Sequence, residues 1–292
     1  MTAITSEVVI TLPSAAYSRT MTATTRSRPP GAGPLLREWR ARRRRSQLDL
    51  ALDAGVSARH LSFVETGRGA PSRELLLALA DALEVPLRER NALLLAAGFA
   101  PSYPATDLED DQLRPVRDAL QHLLTAHQPY PALVVDRWGD VRLTNDAVPP
   151  LLDGVAAELL RPPINIYRLA LHPDGLAPRI RNLADWAGHL IDRLARQQRQ
   201  TGDHRLAELL EEIRGYPAGR TPADPADPLR DVLITLRLDH PAGELNLIST
   251  VTTFGAPHDV TLAELGVEAF FPADDASRET LHRLAGPEPN RA

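Results

Sequence analysis

The stretch SQLDLALDAGVSARHLSFVETGR, residues 46–68, decides the fold of the N-terminal part of this chain. Ser46 can accept a backbone N–H as a helix N-cap, and Asp49 follows at capping-box spacing. The helix it opens runs to Ala54 and stops at Gly55, a residue suited to a left-handed helix end. Ser57 caps the next helix, which ends near Gly67. Two short helices crossing steeply need a small residue where they touch, and Ala51 supplies it. The three-residue turn between them needs a residue tolerant of positive φ, and Gly55 supplies that. Val56, Leu61 and Val64 then face inward, leaving Ala58, Arg59, Ser62 and Phe63 outward. This is the pattern of a helix-turn-helix whose second helix enters the major groove by its first turn. Arg59 can bond guanine O6 and N7 bidentately, and Ala58 or Phe63 can meet a thymine methyl.

Working outward, Leu36, Trp39 and Arg43 share one face of a preceding helix that starts near Pro34. Ser72 begins a fourth helix, with Leu75, Leu79 and Leu83 at four-residue spacing, and Pro86 opens a fifth that ends at Gly98. Residues 34–100 therefore read as a mainly α, five-helix DNA-binding domain. Residues 1–33, rich in Thr, Ser and Pro, read as a disordered tail, with Met21 a second candidate start beside Met1. Residues 101–128 read as an acidic linker feeding a connecting helix. The period then changes. Strands at 132–136 and 141–145 flank the turn RWGD, helices dominate from 146 to 214, and strands return at 231–238, 244–254 and 267–271. This order predicts an α+β domain over 129–286 on one antiparallel sheet, with a short tail at 287–292.

Bulk properties agree with two domains of different task. The chain has 292 residues, a net charge of −5 and no cysteine, so disulfides and thiolate metal sites are excluded. Residues 35–100 hold eleven arginines against eight acids, whereas residues 101–292 carry a net −10. A basic module joined to an acidic one suits DNA binding at one end and another task at the other. No apolar run is long enough to cross a bilayer, and Glu7 precedes only a very short apolar stretch, a poor signal peptide. The expectation is a cytoplasmic protein with double-stranded DNA as partner, no membrane association and no metal site. One recognition helix reads only a few base pairs, which implies a homodimer on a two-fold operator. Arg68 and Arg73 flank the loop after the recognition helix as candidate phosphate ligands, and the run Arg42–Arg45, including Arg43, divides between phosphate contact and a solvated turn.

Residues 36–99, together with ALVVDRWGDV (132–141), LHPDGLAPRIRN (171–182) and VTLAELGVEAFFPAD (260–274), resemble the Xre family of helix-turn-helix regulators, and within it the MmyB-like branch. The resemblance implies that Gln47 supports backbone and recognition-helix contacts, with Ser57, Ala58, Arg59 and Ser62 at the DNA face. Phe63 stands where relatives of this fold sometimes carry a polar base-reading side chain. Arg40 and Glu65 match the positions of a helix-1 to helix-3 ion pair in this family. The hairpin at 132–145 resembles the opening of a PAS-like sensor domain, in which a small-molecule pocket lies between sheet and helices. The ligand class implied is fatty-acyl or similarly apolar. Candidate polar contacts are Arg168, His172, Arg179, Asn182, Thr250 and Thr252, with Trp186, Phe254 and Phe270 as apolar lining. Two other readings stand beside a ligand-responsive regulator. In one, the C-terminal domain serves only for dimerisation or for binding a protein partner; in the other, His172 and Asp174 are acid–base groups of an enzyme. No nucleophile elbow or metal motif accompanies the last, so no catalytic residue is assigned.

Overall fold

A computed structural model describes residues 31–220 and 234–285. The tail through residue 30, the start of the strand expected over 231–238 and the tail 287–292 lie outside the described residues.

Five helices build the N-terminal domain: α1 (Ala32–Arg42), α2 (Gln47–Asp53), α3 (Ala58–Glu65), α4 (Arg73–Ala82) and α5 (Leu87–Ala96). The side chains of Ser46, Ser57 and Ser72 accept the backbone N–H of Asp49, His60 and Leu75, so α2, α3 and α4 start at the expected caps. Leu36, Leu50, Leu61 and Leu79 are fully buried at the centre, with Trp39 and Ala51 beside them. Gly55 takes a φ of +67° in the turn between α2 and α3, as that turn requires. α1 begins two residues inside the stretch read as tail, because Ala32 and Gly33 are buried against α3. A Cβ at Gly33 would lie 2.3 Å from the Val64 carbonyl oxygen and 2.8 Å from that of Glu65.

Eleven further α-helices and strands make up the described C-terminal domain. α6 (Arg114–Ala126) leads to β1 (Ala132–Val135) and β2 (Val141–Thr144), then to α7 (Ile166–Leu171), α8 (Leu183–Thr201) and α9 (His204–Gly215). β3 (Thr235–Leu238), β4 (Leu245–Thr253), α10 (Val260–Glu264), β5 (Gly266–Pro272) and α11 (Asp275–Leu284) complete it. The strands form one antiparallel sheet in the order β2-β1-β5-β4-β3. One face, carrying Leu236, Leu238, Leu245, Leu247 and Phe270, packs on α7, α8 and α9. The opposite face, carrying Ala132, Val134 and Val267, packs on Leu120 and Leu124 of α6. α6 is thus a cover for the second face of the sheet rather than a free connector, since its apolar stripe buries against that face.

The linker is pinned from both sides. The Asn91 amide donates to the Tyr103 carbonyl and its oxygen accepts from Ser102 and Tyr103 N–H. Asp259 accepts from Thr106, and the Val260 N–H donates to Pro104.

Gly33→Ala should force α1 away from α3 and cost roughly 1–3 kcal/mol, the range for overpacking a tight contact. Urea denaturation followed by circular dichroism checks this, and an unchanged midpoint would show that α1 can shift freely.

Candidate functional site

The recognition helix is held by one buried carboxylate. Glu65, 4% exposed, accepts from Arg40 Nε at 2.6 Å, Arg40 Nη2 at 2.9 Å and Gln47 Nε2 at 2.7 Å. Burial pushes this carboxyl up, but the bonds from Arg40 and Gln47 and the Arg40 charge outweigh it and hold it below the usual range. The bidentate fork ties α1 to the end of α3, and Gln47 adds the first residue of α2. All three helices of the motif therefore converge on Glu65.

Outside this anchor, Arg59, His60 and Arg68 are exposed, and Ser62 and Phe63 are half-buried. The Arg59 guanidinium lies 5.4 Å from the centre of the Phe63 ring, a stacking worth about 0.5–1 kcal/mol at an exposed site. Ala58 is turned partly inward and packs against the domain core, so the outward face is narrower than the periodicity suggests. His60, absent from the expected face, is exposed in the first turn of α3. The basic run divides. Arg43, expected at the DNA face, donates instead to the Leu83 and Glu84 carbonyls that end α4. Arg42 bonds Glu38 and the Thr201 carbonyl, and Arg45 pairs with Asp53. Arg44 alone of the four is fully exposed. Arg73 donates to Ser102 at 2.7 Å.

In the C-terminal domain a cavity of about 130 Å³ lies between the sheet and α7 and α8. Leu133, Ile166, Trp186, Leu190, Leu247 and Phe270 are among its walls. A cavity of this size with almost wholly apolar walls admits a body of about benzene size. Its polar boundary is Glu268, 3% exposed, which accepts from Arg193 Nη1 at 3.2 and 3.3 Å. Burial lowers the Arg193 pKa, yet the Glu268 charge more than offsets this, so the guanidinium stays protonated.

Of the expected ligand contacts, Trp186 and Phe270 line this cavity. The others are placed elsewhere. Arg168 forms a fork on Glu212, at 2.7 and 2.6 Å. His172 caps the end of α7, its Nδ1 accepting from the Asp174 N–H, and Tyr216 meets its ring edge-on. Arg179 donates to the carbonyls of Leu151, Asp153 and Asp239, and Asn182 holds β3 through Thr235 and Arg237. Thr250 and Thr252 pair with Ala269 and Val267, which puts them on the α6 face of the sheet, where they are exposed. Phe254, 40% exposed, lies beside Pro104 and Val116 near the start of α6. Glu268 was legible in principle as a lone charge inside the apolar run GVEAFF. Among the described residues no group of three or more His, Asp or Glu could hold a metal, and no helix is long and apolar enough to cross a membrane.

A junction joins the domains. Arg137, in the β1–β2 turn, donates to Glu89 of α5 at 2.8 Å and to Glu264 of α10 at 2.6 Å, and lies 3.4 Å from Asp203. Arg88 of α5 grips the same Glu264, at 2.8 and 2.6 Å. The Trp138 ring meets the guanidiniums of Arg88, Arg137 and Arg205.

Comparisons with known proteins agree with this division. Residues 36–90 match the helix-turn-helix family model, and residues 116–284 match the model described as the MmyB-like transcription regulator ligand binding domain. No match is found among curated protein sequences. Among solved structures the chain is similar to one titled "Structure of an RNA-binding Light-Oxygen-Voltage Receptor", with 13% identity and a TM-score of 0.24. That alignment covers 89% of this chain and 64% of the other, so the chain spans about two thirds of its length.

Arg40→Ala should leave Glu65 buried with only Gln47 as a partner and cost about 3–5 kcal/mol. Because the native Glu65 pKa is depressed, its contribution is present above about pH 4 and lost as pH falls through the native value. Denaturation midpoints from pH 7 to pH 3 should therefore fall more steeply for the parent than for Glu65→Gln. Parallel curves would remove Glu65 from the acid sensitivity.

Proposed function

The chain belongs to the MmyB-like transcription regulators, a DNA-binding helix-turn-helix joined to a ligand-binding domain, and we propose that it is a dimeric regulator answering to an apolar, acyl-type small molecule. The observation that carries this reading is the cavity between sheet and helices, whose walls are almost wholly apolar. At about 130 Å³ it accepts a short chain or a single ring as it stands. A longer acyl chain enters only by displacing wall side chains such as Leu190 or Ile166. Trp186 and Phe270 supply broad apolar contact, and Glu268 with Arg193 supplies the one charged boundary.

On the DNA side, Arg59 reads a base while Phe63 fixes its guanidinium and can meet a thymine methyl. Ser57 and Ser62 flank it, and Arg68 and Arg44 serve as phosphate contacts. A homodimer places two such helices on half-sites about one helical turn, near 10 base pairs, apart or a multiple of that. The ligand alters operator affinity only if it binds the DNA-competent and incompetent states differently. A protein of this architecture works by binding rather than by catalysis, in the cytoplasm where its operator lies.

Organic extraction of the purified chain should release an apolar molecule, and Ala170→Phe, which fills the cavity, should abolish its retention and the response of operator affinity to added ligand. A chain that yields nothing, and whose thermal midpoint ignores a panel of fatty acids, would leave the C-terminal domain as a dimerisation module.

Arg59→Ala should cost roughly 1–3 kcal/mol at the operator and relax preference at one base position. Arg68→Ala should weaken all sequences alike and flatten the slope of log K against log salt by about one unit. Equal weakening on every sequence by Arg59→Ala would make that residue a phosphate ligand.

A further inference from the structure

A second cleft, of about 440 Å³, opens on the same sheet face as the apolar cavity. Ile166 lines both. The Arg193–Glu268 pair is the wall between them, its carboxylate on the apolar side and its guanidinium in the cleft. The volume lies in the range of small-molecule sites. Both domains contribute. Pro86 comes from the start of α5, Arg137 and Glu264 from the junction, and Arg193, Arg196 and Gln200 from α8.

Counting hydrogen-bonding capacity shows what such a cleft can take. Its carboxylates are engaged. Glu264 accepts from Arg88 and Arg137, and Asp136 accepts from the N–H groups of Trp138 and Asp140 and from Arg142. Its donors are not. Arg137 Nε is buried without a hydrogen-bond partner among the described residues, on a side chain only 3% exposed. Arg196 is exposed and makes no hydrogen bond or ion pair among the described residues. Arg193 offers its other nitrogens beyond the one bonded to Glu268. Spare guanidinium donors with no spare carboxylate select an acceptor-rich, negatively charged guest.

We propose that this interdomain cleft is a second effector site, separate from the apolar cavity, that takes a small multiply charged anion bearing carboxylate or phosphate groups. The anion bridges Arg193 and Arg196 of α8 and reaches towards Arg137 at the junction. It binds only while Pro86 and α8 face each other, so it favours the docked arrangement of the domains. Next to the cleft, Arg42 of α1 donates to the carbonyl of Thr201, itself a lining residue, which places a second interdomain contact at its edge.

The test uses the full chain in chloride at fixed ionic strength, titrated in separate arms with inorganic phosphate and with citrate. The thermal midpoint should rise in at least one arm and go on rising by a few degrees per tenfold increase above the Kd. A response to one arm alone supports the site and names the acid group it prefers. Arg196→Glu, at an exposed position without partners among the described residues, should abolish the rise. The Arg59→Ala/Arg68→Ala double variant should keep it, since those arginines lie on the DNA face. No rise in either arm, a rise that survives Arg196→Glu, or a rise lost in the double variant overturns the proposal. The apolar-ligand reading is untouched by any of these outcomes, because its test is extraction.

Discussion

A guanidinium with 3% of its side chain exposed stays charged only where carboxylates come to it, and Arg137 is such a group. It draws Glu89 from the five-helix domain and Glu264 and Asp203 from the sheet domain. Two domains that share only a linker are thereby fixed in one arrangement. Buried ion pairs orient more dependably than they stabilise, because the attraction must first offset the loss of water. Their value here is geometric. Removing any one carboxylate leaves a charge in a place built for its neutralisation, so the junction favours being wholly formed or wholly released.

The turn that carries Arg137 is also tied to the ligand cavity. The Gly139 carbonyl accepts from the Ile166 N–H, and the Arg137 carbonyl accepts from Gln197 of α8. Ile166 and the strands on either side of this turn form part of the cavity wall. A body entering the cavity therefore presses on the element that holds the two domains together, along a path of packed side chains a few residues long. The same logic governs the DNA side on a smaller scale, where three helices meet at Glu65 and the recognition helix cannot tilt without breaking a bidentate bond.

Features that depend on local rules were legible in the sequence. Serine caps at 46, 57 and 72 and the glycine turn at 55 are decided within four residues, and they stand where the spacing put them. The two-domain division and the single antiparallel sheet followed from the change of period. The polar lining of the ligand site was not legible, for a topological reason. Thr250 and Thr252 alternate correctly along β4, but only pairing with β5 reveals that their face meets α6. Arg168, Arg179 and Asn182 find partners 26 to 60 residues away in the chain, which spacing alone cannot anticipate. Ala58 and Arg43 differ for a similar cause. Neighbouring helices claim them for packing and for capping carbonyls.

The three tryptophans divide the molecule among themselves. Trp39 sits in the core of the DNA-binding domain, Trp186 in the wall of the apolar cavity, and Trp138 at the junction under three guanidiniums. Each indole thus meets a different feature of the molecule, and Trp138 also packs against the edge of the core that holds Trp186. The protein carries its own set of optical reporters, one for operator-domain folding, one for cavity occupancy and one for domain docking. Tryptophan-to-phenylalanine variants taken two at a time would isolate each signal, so that the order of ligand entry and domain release can be followed in the unlabelled chain.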